Sequence, residues 1–109
     1  MFVTYRNGTN GTTPKDFNLT ASAYAIIKDK DGNIKENGSI ILTTHKMNVT
    51  GNVSWYTKTG NTETQIKIPN TNNNYIGDTY TTTSPGTYIA KILSGTTVLY
   101  QDSVTITEV

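Results

Sequence analysis

The sequence predicts an all-β chain: a two-sheet sandwich of about seven to eight short antiparallel strands. It contains no disulfide, because the chain has no cysteine. Three observations carry this reading. Turn signals such as Asp31-Gly32, Asn37-Gly38 and Gly60-Asn61 recur at intervals of roughly 8–12 residues. A single tryptophan sits in the β-prone run Val53-Ser54-Trp55-Tyr56-Thr57. A Gly86-x-Tyr88-x-Ala90 pattern follows Ser84-Pro85 and precedes the last apolar-alternating run.

Taken in order, Met1–Tyr5 reads as a short edge strand, and the Asn/Gly/Thr/Pro stretch Asn7–Pro14 as a linker or exposed loop. Residues 1–15 are therefore set apart from a sandwich domain over 16–109. The first strand of that domain is expected at Phe17–Ile27, with Phe17, Leu19, Ala21, Ala23 and Ala25 alternating onto one face. An alanine-rich helix competes there, but the intervening Thr20, Ser22 and Tyr24 favour a strand. Asp29–Asn33 makes a hairpin-type turn through Asp31-Gly32, and Asn37-Gly38 makes a second. Ser39–Thr44 is a strand with Ile40 and Leu42 inward, and Val53–Thr57 is the tryptophan strand. A hairpin closes at Thr59-Gly60-Asn61, and Thr64–Ile68 follows with Ile66 and Ile68 alternating until Pro69 stops the ladder. Asn70–Asn74 is a polar tip and Tyr75–Thr83 a largely polar strand. Ser84-Pro85-Gly86 turns a corner, Thr87–Leu93 is a strand, Ser94-Gly95 turns, and Thr97–Thr107 is the last strand.

Composition agrees. The chain has 109 residues, enough for one domain, with 34% hydrophobic and 16% charged residues. Its polarity comes from Thr, Asn, Ser and Gly, which favour strands and tight turns rather than disorder. The formal net charge of +1 supplies no basic stripe for nucleic acid and no block for anionic lipid. No apolar run reaches the roughly 18–20 residues of a membrane span, and no signal-peptide pattern opens the chain, so a soluble domain is expected. The absence of cysteine fits folding in a reducing cytosol, as for a bacterial surface component or a virus-particle part.

The tryptophan and the later Gly-x-Tyr pattern mark an immunoglobulin-like β-sandwich. In that pattern an inward tryptophan packs on the bridge between two facing strands. Leu42 lies where the first bridge cysteine is expected and Ala90 where the second is, two residues after Tyr88. Leu42, Trp55 and Ala90 then form an apolar pin in place of the disulfide, and Tyr88 is the corner tyrosine whose hydroxyl bonds back to backbone near Thr83–Pro85. The expected core is Leu19, Ile40, Leu42, Val53, Trp55, Ile66, Ile68, Tyr88, Ala90, Ile92, Val104 and Ile106.

No constellation carries catalytic chemistry. His45 is the only histidine, and a catalytic or metal-bound histidine needs partners that the sequence does not place beside it. Asp29-Lys-Asp31-Gly32-Asn33 resembles a calcium loop only superficially, because its glycine falls two positions early. The acids Asp16, Asp29, Asp31, Glu36, Glu63, Asp78, Asp102 and Glu108 are scattered, which argues against a paired-carboxylate hydrolase. Asn-x-Ser/Thr triplets begin at Asn7, Asn10, Asn18, Asn37, Asn48 and Asn52, as expected by composition in a chain this rich in Asn and Thr. The chain is read as a non-enzyme without cofactor or metal. The candidate binding residues are the aromatics Tyr56, Tyr75 and Tyr80, read as exposed beside Asn-rich loops, where a ring stacks on a sugar's C–H face.

From Thr20 onward the chain resembles the immunoglobulin-like domains of tail, baseplate and tail-fibre proteins of tailed bacteriophages and prophages. The resemblance lies in the order of Ile27-Lys-Asp-Lys-Asp-Gly32, Ser39-Ile-Ile-Leu-Thr-Thr44, Val53-Ser-Trp-Tyr56, Gly86-Thr-Tyr88 and Ser103-Val-Thr-Ile-Thr107. It implies a structural or accessory module of the virion that aids attachment to the host surface. Its partners would be other tail or baseplate domains and a host cell-surface glycan. A carbohydrate-binding or adhesin stalk domain of a bacterial surface protein, displayed on the cell, is the alternative.

Overall fold

Threonine-rich alternation and glycine-centred turns favour strands over helices. The computed structural model describes residues 15–109, and among them are nine strands and no helix. They are β1 Asp16–Ala21, β2 Ala25–Lys28, β3 Ile34–Glu36, β4 Ile40–Met47, β5 Val53–Thr59, β6 Thr62–Gln65, β7 Thr79–Thr82, β8 Gly86–Ser94 and β9 Thr97–Glu108. The edge strand and linker expected at residues 1–14 lie outside the described residues.

Local chemistry sets the hairpins. The β5–β6 and β8–β9 turns are Gly60-Asn61 and Gly95-Thr96, each with positive φ at the glycine only (59° and 62°), as a type II′ turn demands. The Asp29–Asn33 turn is held from within. The Asp29 carboxylate accepts the Asp31 and Asn33 amides at 2.9 and 3.0 Å, so this oxygen serves the turn itself.

The strands form a three-stranded sheet, β1-β4-β7, and a six-stranded sheet, β3-β2-β9-β8-β5-β6. All pairings are antiparallel except β2 with β9, which is parallel, a departure from the all-antiparallel expectation. The two sheets bury one common cluster. Leu19, Ile40 and Leu42 come from the smaller sheet, and Ile26, Val53, Trp55, Tyr88, Ala90, Ile92 and Ile106 from the larger. Leu42, Trp55 and Ala90 are fully buried, and Trp55 lies directly across from Ala90 in the β5–β8 register. The indole N–H of Trp55 donates to the Gly77 carbonyl at 2.8 Å, which satisfies its one polar atom inside the core.

Several expectations need correction. The single strand Phe17–Ile27 is two strands in different sheets. β1 carries Phe17 and Leu19 inward, the chain crosses over at residues 22–24, and β2 resumes with Ile26 inward. The inward side changes from odd to even positions across that crossing, so one alternation cannot describe both halves. Ile68 is 42% exposed rather than core, because β6 ends at Gln65 and residues 66–68 pair instead with 73–75 across a turn at Pro69-Asn70. Ile66 and Val104 pack against the core as half-buried residues. Phe17, Ile26 and Val49 are core residues missing from the expected core, and of these the alternation had placed only Phe17 on the inner face. The polar run Tyr75–Thr83 reduces to β7 at Thr79–Thr82, β4 extends to Met47, and β3 is an additional short strand.

The path of the chain sets where its two ends lie. β1 and β2 run alongside β9 in the same direction. Phe17 meets Tyr100 with ring centroids 6.4 Å apart, the Leu19 amide donates to the Asp102 carboxylate at 2.8 Å, and the Thr107 amide donates to the Tyr24 carbonyl at 3.0 Å. Asp16, beside Met47, and Val109, beyond Ile106, therefore lie at opposite poles of the sandwich.

Candidate functional site

Strand parity divides the three candidate tyrosines between two places. Trp55 faces the core, so Tyr56, the next residue of β5, faces outward from the six-stranded sheet. Tyr80 sits on β7 with its ring turned to the core, 5.8 Å from the Trp55 ring and 6.1 Å from that of Tyr88. Tyr75 meets Tyr80 edge-on at 5.3 Å, and its hydroxyl donates to the Thr79 carbonyl at 2.7 Å. The structure thus brings Tyr75 and Tyr80 together as a half-buried aromatic cluster and leaves Tyr56 apart from them. Burial first, then the neighbouring Tyr88 and Tyr75, pushes the Tyr80 hydroxyl above the usual phenol range.

The fourth ring of that cluster, Tyr88, is anchored at its tip. Its hydroxyl donates to the Ser84 carbonyl at 2.7 Å and lies 2.6 Å from the buried Thr82 hydroxyl. Ser84 lies within the Thr83–Pro85 stretch named from sequence, and the bond spans the corner where β7 gives way to β8.

The outward face of the six-stranded sheet carries the other assembly. Register places Gln65, Tyr56, Ile89 and Ser103 in one row across β6, β5, β8 and β9, and Glu63, Lys58, Thr87 and Thr105 in the next. These rows border a cavity of about 340 Å³, lined among others by Lys58, Glu63, Thr87, Ile89, Gln101 and Ser103. Ile89 is 5% exposed yet stands outside the central core cluster, so it is an apolar residue of the outward side. Lys91 pairs with Glu63 and sets its ammonium 4.6 Å from the centre of the Tyr56 ring. Thr87 and Thr105 share a hydroxyl contact at 3.0 Å. Asp102 is committed to backbone, its two oxygens taking the Leu19 and Ser103 amides at 2.8 and 2.9 Å.

Of these residues only Tyr56 was singled out in the sequence. The signal for the rest was the odd-position series Thr87, Ile89, Lys91, whose partners become visible only once the hairpin register is known.

The remaining polar candidates lie elsewhere. His45 Nε2 is 2.8 Å from the Thr20 hydroxyl on the outer face of the smaller sheet. Lys46 bonds the Gly51 carbonyl and Asp78. Among the described residues, no group of three or more His, Cys, Asp or Glu side chains is placed to hold a metal ion. No described helix is long and apolar enough to cross a membrane. No family model, no curated protein and no solved structure matches the chain.

Proposed function

We propose that this chain is a non-catalytic, immunoglobulin-like structural module of a phage or prophage tail protein, of baseplate or fibre type, displayed on the virion where it aids host attachment. One observation carries the reading: the strand order together with the path of the chain. The order β1-β4-β7 follows the A-B-E order of the immunoglobulin pattern, and β9-β8-β5 follows G-F-C. The Tyr88–Ser84 bond occupies the place of the tyrosine corner. The path of the chain, with β1 and β2 alongside β9 in one direction, puts Asp16 and Val109 at opposite poles of the sandwich.

Antibody labelling tests it. The purified chain is used to raise antibody, and particles released by prophage induction from the strain carrying the coding sequence are examined by immunogold electron microscopy. Gold on the tails supports the proposal. Gold on the cell wall with unlabelled particles turns it into the alternative, a carbohydrate-binding or adhesin stalk domain of a bacterial surface protein. Gold on neither overturns both. The alternative draws on the outward cavity beside Tyr56.

A further inference from the structure

We infer that the cavity on the outward face of the six-stranded sheet binds a neutral saccharide of one or two rings. This deepens the carbohydrate-binding alternative and rests on it, and it does not depend on the structural role.

The chemistry of the lining selects the ligand. Lys58, Gln101 and Ser103 line the cavity, and among the described residues the side chains of these three have no hydrogen-bonded protein partner. Together they offer both donors and acceptors within one concavity. Ile89 supplies an apolar patch among them, and Tyr56 lies beside Ile89 in the same row. A sugar ring has this pattern: an apolar C–H face rimmed by hydroxyls that both donate and accept. A flat apolar ligand would leave the polar groups desolvated and unpaired.

Charge narrows the class. The charged groups at this face are Lys58, Lys91, Glu63 and Asp102, and of these four only the Lys58 ammonium has no partner. Glu63 is held by Lys91, and Asp102 by two backbone amides. A single free ammonium is no cluster to hold a phosphate or a polyacid, and it can donate to the hydroxyls of a neutral sugar. The volume of about 340 Å³ lies at the low end of ordinary ligand sites, which sets the length at one or two rings. Tyr75 and Tyr80 are excluded from this site, since their rings pack on each other and on Trp55.

The test is an NMR titration of the isotope-labelled full chain with maltose, lactose and N,N′-diacetylchitobiose, each taken to millimolar excess, with inorganic phosphate in parallel. At least one disaccharide is expected to shift the amides of Lys58, Ile89, Gln101 and Ser103 in a saturable way. Gln101→Ala and Lys58→Ala each weaken that binding by about fivefold, as loss of one hydrogen bond does. Thr81→Ala, on the other sheet, leaves it unchanged. No saturable shift with any of the three disaccharides overturns the inference. So do shifts confined to Tyr75 and Tyr80, or shifts produced by phosphate alone. Because the readout is a position on the domain, it is separate from the labelling result that locates the protein.

Discussion

Trp55 and Tyr56 are joined by one peptide bond and belong to opposite worlds. Trp55 is fully buried, meets Tyr80 at 5.8 Å and has its indole N–H bonded. Tyr56 looks outward, its ring beside the Lys91 ammonium at 4.6 Å and next to a polar cavity. The contrast extends across each strand. The inward side of β8 is Tyr88, Ala90 and Ile92, and the outward side is Thr87, Ile89 and Lys91. Aromatic content alone therefore does not distinguish a binding face from a core. Parity and register do.

The largest way to break this contrast is Trp55→Ala. It should cost about 3–5 kcal/mol from the cavity and lost burial. That is a large share of the ~5–15 kcal/mol typical of a small domain. Urea denaturation checks it, and a midpoint near wild type would contradict the placement of Trp55.

Tyr88→Phe is the next step down. It keeps the ring and removes the hydroxyl that bonds the Ser84 carbonyl and meets the buried Thr82. A loss of about 1–2 kcal/mol is expected. It should appear as a lower urea midpoint with an unchanged slope.

The tyrosine cluster also makes the inward side sensitive to alkali. Tyr80 holds its proton to higher pH in the folded state than in the unfolded chain. Above the unfolded phenol value of about 10, the unfolded state binds fewer protons, so stability falls as pH rises. The contribution is fully present below that value and is lost as pH climbs through the folded one. Urea midpoints measured across this range should decline, and Tyr80→Phe should make the decline shallower.

The smallest effect belongs to the outward face. Lys91→Met removes the ion pair with Glu63 and should cost less than about 1 kcal/mol. The difference from wild type should shrink further in added salt. A cost equal to that of Tyr88→Phe would mean that the outward face contributes to stability as the core does.

The same distinction explains how much was legible in the sequence. Leu42, Trp55, Tyr88 and Ala90 stood out because each sits at a fixed spacing within a strand or at a corner, and all four are buried. Ile26 did not, because the sheet switch at residues 22–24 reverses the parity that Phe17 and Leu19 establish. Tyr80 looked exposed because Thr79 and Thr81 flank it in a polar run, yet alternation in β7 turns the threonines out and the ring in. The cavity was invisible for a different reason. Lys91 and Glu63 are 28 positions apart, and only the pairings of β6, β5, β8 and β9 bring such residues side by side.

The parallel run of β2 beside the end of β9 has a mechanical consequence. Tension applied between Asp16 and Val109 would draw β1, and β2 behind it, toward one pole and β9 toward the other. The bonds from Thr107 to Tyr24, Val109 to Ile26 and Lys28 to Val109 lie across that pull. They are loaded together in shear, so none peels away ahead of its neighbours, and Asp102 adds a fourth crosslink to β1 at Leu19. Resistance to forced unfolding is a matter of rate, and this seam is the place in the molecule where that rate would be set.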